Sequence, residues 1–309
     1  MPRGNFDPAA NRLMSKVRAS VRMAVQSLGF EVRRIQPDPP APEPPYLHEL
    51  PEVALYESIE SPSAPAKSFK VPLDSVVDYR GFGFGSSAWH PYVSVSRVVG
   101  QDGMQAGREL LYRFYDKHKP KTAADAIFGF EDWPALFHAA PPFLYYLAPW
   151  RALYPEDILR SVPRWVKRDA QEHGIIRDLK EGWFPHYGPV HEEVAEGELR
   201  RLQAIHESIS RNGYDRRHGD CHFVVLRRND DYRFIVDGGG IHRTAAMAAN
   251  GYTWVPGTFH LRPVIIDRRD VDAWPQVWRG VWGRSQALAY FDYLFDYDSS
   301  TWARENGFL

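Results

Sequence analysis

Along the chain, apolar positions recur with a period that changes from segment to segment. Leu13, Val17, Val21, Val25 and Leu28 repeat at helical spacing and predict an amphipathic helix within residues 1–36. The proline-rich PDPPAPEPP stretch that follows predicts an extended linker, assigned to 37–66, so the folded domain is expected from 67. Val71 to Tyr79 (VPLDSVVDY) predicts a short strand and turn, closed by the glycines of GFGFG at 81–85. Helices are expected around 103–117 and 155–173. Leu199, Leu202, Ile205 and Ile209 mark one face of another helix, ended by Gly213. His222–Leu226 and Tyr232–Val236 then alternate as a hairpin across the polar residues 227–231. Residues 241–250 have helical composition with Gly251 as a cap, and short strands are expected at Trp254–Phe259 and Pro263–Asp267. The last stretch, 271–309, predicts an aromatic helical extension. There the four-residue spacing of Trp274, Trp278 and Trp282 suits a core or a contact between copies in a homo-oligomer better than a base-stacking platform.

Composition narrows the function classes. With 309 residues, 44% of them hydrophobic, the chain can bury a substantial core. Lys plus Arg (38) nearly balance Asp plus Glu (39), which removes any global attraction to nucleic acid. One cysteine, Cys221, precludes an intramolecular disulfide, and no apolar run is long enough to span a bilayer, so a soluble cytoplasmic protein is expected. The first 35 residues carry seven basic against two acidic side chains. Such a helix suits peripheral contact with the anionic inner face of a membrane, or docking on its own domain.

Chemistry concentrates at Asp237-Gly238-Gly239-Gly240-Ile241-His242-Arg243. Three glycines between a strand and a helix let backbone approach a ligand closely, and the first turn of the helix presents unpaired N–H groups to an anion. Arg243 can fork onto phosphate oxygens, His242 can donate to them, and Asp237 can hold a divalent cation. Nine Arg and no Lys against six acidic residues between 200 and 243 support a locally positive surface. His218, Asp220, Cys221 and His222 fit no zinc spacing.

From the helix RLQAIHESISRNGY (201–214) through the hairpin to DGGGIHRTAAMAANGYTWVP (237–256), the sequence resembles the ParB/sulfiredoxin superfamily, and 71–79 resembles its opening strand. The resemblance implies an α+β fold, a small mixed sheet with helices over 67–270, with a large, mostly helical insertion at 86–190. It also implies nucleotide phosphates on Gly238, Gly239, Gly240, Ile241 and Thr244, joined by Arg201 and Ser208 from the preceding helix. Superfamily members include CTP-hydrolysing ParB proteins, sulfiredoxins and free serine kinases.

Departures from the family patterns choose among these. Sulfiredoxins need a cysteine where this chain has Ile241, and ParB proteins follow the domain with a helix-turn-helix for which 271–309 is too short and too aromatic. The leading expectation is a kinase-like phosphotransferase using ATP or another nucleotide and Mg²⁺ on Asp237, with a small-molecule or envelope-precursor hydroxyl as acceptor. Asp78 is the candidate catalytic base, with Glu196 and Glu198 as alternatives. A ParB-like nucleotide switch and a passive binder of phosphorylated ligands are the rival readings.

Overall fold

The computed structural model describes residues 43–50, 68–175, 181–260 and 265–309. The basic helix expected over 1–36, and most of the linker expected over 37–66, lie outside the described residues. Within that linker, Glu43–Leu50 is described and belongs with the domain: Leu47 is buried and Tyr46 bridges to Lys70.

The sheet is built around one hairpin. β1 (Phe69–Pro72) and β2 (Val76–Val77) come first in the chain, followed much later by β3 (Cys221–Arg228) and β4 (Asp231–Val236). β3 and β4 pair antiparallel through Asn229-Asp230, with Arg228 opposite Asp231. Asn229 holds a left-handed φ of 56°, which asparagine tolerates better than most residues. Arg227, Arg228 and Asp231, expected in the connection, therefore belong to the ladder. β5 (Trp254–Phe259) runs parallel to β3, β1 pairs antiparallel with β5, and β2 lies parallel to β4. β6 (Ile265–Asp267) pairs with β3 further along. The result is the expected α+β class, with a mixed six-stranded sheet ordered β1-β5-β3-β4-β2 and β6 beside β3.

Side-chain alternation along β3 places apolar groups on both faces: Phe223 and Val225 enter one core, Val224 and Leu226 the other. The helices are α1 (Pro91–Asp102), α2 (Met104–Lys117), α3 (Pro155–Glu172), α4 (Glu192–Asn212), α5 (Ile241–Ala249), α6 (Pro275–Trp278), α7 (Arg284–Asp296) and α8 (Ser299–Glu305). On the first face α1, α2, α4 and α5 pack on one another and on the sheet. The second face is covered by residues 123–166, including much of α3, by Phe184 and Tyr187, and by α7. The described residues of 86–190 thus supply more than half of the second core and about a quarter of the first.

Two elements depart from the sequence pattern. α1 was not expected, because Val93, Val95, Val98 and Val99 favour strand by propensity; Pro91 at its first turn and the His90 side chain capping the Tyr92 N–H set it as a helix. α6 is a single turn, so the three tryptophans share no helical face: Trp274 and Trp282 are buried while Trp278 is 80% exposed.

Candidate functional site

The glycine turn forms as the residue pattern requires. Gly238, Gly239 and Gly240 take φ values of 72°, 133° and 108°, all in the region that excludes most side chains. β3 fastens the turn, since the His222 N–H donates to Gly239 O at 3.1 Å and the Asp237 N–H donates to His222 O at 3.1 Å. Gly240 is the N-cap of α5 and has no side chain to satisfy the N–H groups of the first turn. That end of α5 carries partial positive charge.

Two spaces open on either side of this turn. One is a cavity of about 440 Å³ lined by Asp78, Tyr79, Tyr145, Tyr146, Arg151 and Trp165, among others, and by the glycine turn itself. The other is a more open groove of about 840 Å³ between α4 and the start of α5. Arg200, Arg201, Arg243, His173 and His242 line the groove, and no Asp or Glu lines it among the described residues. Gly239, Gly240, Arg201 and His242 border both spaces.

The charged groups of the cavity are already partnered. Asp237 accepts the Tyr79 hydroxyl at 2.6 Å and its own neighbour's N–H, Gly238, at 2.7 Å, and forms an ion pair with Arg151. In this arrangement the guanidinium of Arg151 occupies one carboxylate oxygen of Asp237, and among the described residues no cluster of three or more acidic, histidine or cysteine side chains gathers there. Asp78 accepts the N–H groups of Arg80 (2.8 Å) and Phe82 (3.1 Å) on one oxygen and the Arg80 Nε (2.9 Å) and Nη2 (2.6 Å) on the other. Burial disfavours its charge, but Arg80 and His90 outweigh burial and hold the carboxyl well below its ordinary range. So saturated a carboxylate anchors the 78–82 loop and is a poor proton acceptor, which displaces Asp78 from the role of base.

The two alternative carboxylates separate cleanly. Glu196 points out to Arg108 (2.7 Å) and Tyr112 (3.3 Å) and does not line the cavity. Glu198 lines it, buried, with Oε2 2.6 Å from His242 Nε2. Burial would raise the Glu198 pKa, but the His242 ring and its hydrogen bond prevail and bring it down to about 2. His242 also stacks on Tyr92 at 5.2 Å. Compared with known proteins, the chain matches no family model, no curated protein and no solved structure.

The remaining predicted residues divide between the two spaces and the core. Arg201 lines both spaces and pairs with Asp169 of α3 at 2.9 Å. Arg243 faces the groove, and its Nη1 donates to the carbonyls of His218 (2.7 Å) and Gly219 (2.6 Å), so it also braces the loop before β3. Ile241 lines the cavity. Thr244 is buried beneath the helix start and Ser208 is exposed; neither borders either space. Sequence reasoning missed Arg151, Tyr79 and His186. His186 lies with Nδ1 3.1 Å from the Tyr146 hydroxyl and 3.3 Å from that of Tyr145, and burial, aided by Arg80, pushes its pKa down to about 3. Arg151 and Asp237 are 86 residues apart, and no local pattern marks such a pair.

Proposed function

We propose that this chain is a nucleotide-dependent phosphotransferase of ParB/sulfiredoxin-like architecture. One observation carries the reading: a basic groove with no acidic lining among the described residues and a partly enclosed cavity share a wall made of Gly239, Gly240, Arg201 and His242. The succession α4, hairpin, glycine turn, α5, Gly251 and β5 supports the architectural likeness.

In this reading the groove takes the phosphates of ATP or a related nucleotide. Arg200, Arg201 and Arg243 supply charge-assisted donors, each contact worth about 1.5 to 3 kcal/mol, and the uncapped start of α5 adds its N–H groups. The acceptor hydroxyl lies in the cavity. Glu198 holds the His242 ring through Nε2, leaving Nδ1 to take the hydroxyl proton while the acceptor oxygen bonds to the terminal phosphorus. The bond from that phosphorus to the bridging oxygen breaks, and the nucleoside diphosphate leaves with the electron pair. Positioning and positive charge do most of the work, as is general for phosphoryl transfer.

The test is to incubate the full chain with each nucleoside triphosphate, Mg²⁺ and pooled small metabolites, and to search for a new phosphorylated species by mass spectrometry. Acceptor-dependent diphosphate release supports the proposal. Hydrolysis indifferent to acceptors supports a nucleotide switch instead, and binding without turnover a passive module.

A further inference from the structure

Part of the cavity lining is aromatic. Tyr146 stands edge-on to Tyr79, with centroids 5.4 Å apart and planes at 78°, and Trp165 stands edge-on to Tyr146 at 6.4 Å and 79°. Ile158 and Val162 form an apolar base, while the exposed Ser161 and the Tyr146 hydroxyl add polar points. Trp165 is only half-buried.

The cavity's charge is closed on itself. Every carboxylate among its described lining residues already has a partner: Asp78 meets Arg80 at 2.6 Å, Asp169 meets Arg201 at 2.9 Å, Glu172 meets Arg168 at 3.9 Å, Asp237 meets Arg151, and Glu198 meets the ring of His242 at 2.6 Å. A charged acceptor that displaced the partner of Asp78, Glu198 or Asp237 would strand a buried group in a poorly solvated site, whereas the Arg168–Glu172 pair is exposed at the rim. A neutral ligand meets no such obstacle. Aromatic faces offer the apolar side of a saturated ring a broad contact, and the surrounding hydroxyl, imidazole and backbone groups can exchange hydrogen bonds with its rim.

We infer that the cavity takes a neutral polyhydroxylated ring, an uncharged sugar or cyclitol, as the phosphoryl acceptor; this rests on the phosphotransferase reading above. A volume of about 440 Å³ accommodates such a ring. The balanced step converts one ring hydroxyl and a nucleoside triphosphate into a ring phosphate monoester, a nucleoside diphosphate and a proton, the proton passing first to His242.

Binding without nucleotide isolates the acceptor site. Calorimetry or ligand-observed NMR on the full chain would compare N-acetylglucosamine, methyl glucoside and myo-inositol with glucuronate, glucosamine and L-serine. At least one neutral ring binds, each charged probe binds at least about tenfold more weakly, and Trp165→Ala weakens the neutral ring by about tenfold while retaining a cooperative melt. Equal or tighter binding of a charged probe, binding by none of the six, or indifference to Trp165→Ala in a folded protein overturns the inference. The probe comparison on the unaltered chain stands even if Trp165→Ala fails to fold. Should neutral rings bind while no nucleoside triphosphate phosphorylates them, the phosphotransferase reading falls and the cavity remains a ring-binding site.

Discussion

His242 Nε2 lies 2.6 Å from Glu198 Oε2, and both side chains are more than nine-tenths buried. The contact joins α5, which begins at the glycine turn, to α4, which carries Arg200 and Arg201. Removing one member of a buried pair leaves the other without compensation, typically at a cost of about 3 to 5 kcal/mol. Glu198→Ala is therefore expected to lose stability on that order, and Glu198→Gln less, since an amide oxygen still accepts from the ring. Denaturant unfolding measures both; a loss under about 1 kcal/mol for the alanine variant would show that the pair does not form.

Acid should weaken the fold in two stages. His186 is held neutral, with its pKa brought from 6.5 to about 3, chiefly by burial. Between those values the unfolded chain binds the proton first, so stability falls as pH drops from 6.5 towards 3. Glu198 has the opposite charge type: its pKa is depressed from 4.5 to about 2, so its contribution is full above 4.5 and disappears as pH falls through about 2. His186→Gln should flatten the upper range, although buried His90 and His118 contribute there too. Glu198→Gln should flatten the lower range. Unfolding curves of His186→Gln with the slope of the unaltered protein between pH 6.5 and 4.5 would refute the buried neutral imidazole.

The neighbouring glycines should respond differently to alanine. At Gly240 an added Cβ would lie 2.9 Å from Cys221 Cβ and would sit at a φ of 108°, whereas at Gly239 it meets nothing within 4 Å and is strained only by its φ of 133°. Backbone strain alone costs about 1 to 3 kcal/mol, so both variants melt lower and Gly240→Ala lower still. Gly239→Val should melt lower than Gly239→Ala, because a branched Cβ is strained further at this φ, and should bind nucleotide more weakly where it remains folded, because its branches project where phosphates would lie. Melting curves and nucleotide titrations of the three variants check the order.

Local pattern was enough to read the elements that carry the turn. The apolar face of α4, the alternation in β3 and β4, and the small-residue run of α5 each express a single period, and all appear near their expected limits. α1 was hidden because its valines carry strand propensity, while the effects that make it a helix are a proline, a histidine cap and packing against α5. At the site, the glycine φ values follow from residue type. The partners of Asp78, Asp237 and His242 do not: two of the three lie in other elements, and ion pairs across tens of residues leave no periodic trace. Asp78 is the instructive case, since its partner, Arg80, is only two residues away and a sequence motif still cannot show that both carboxylate oxygens are taken.

The central claim is that the arginine-lined groove between α4 and α5 binds nucleotide phosphates, and direct titration tests it. ATP, ADP and inorganic triphosphate would be titrated into the full chain and into Arg200→Ala and Arg243→Ala variants, with melting curves reporting the fold of each. The account predicts saturable binding by the unaltered protein, at least about tenfold weaker binding after loss of either arginine, and affinity that declines with salt. Absence of nucleotide binding by the unaltered chain, or unchanged affinity in folded Arg200→Ala and Arg243→Ala proteins, would contradict it.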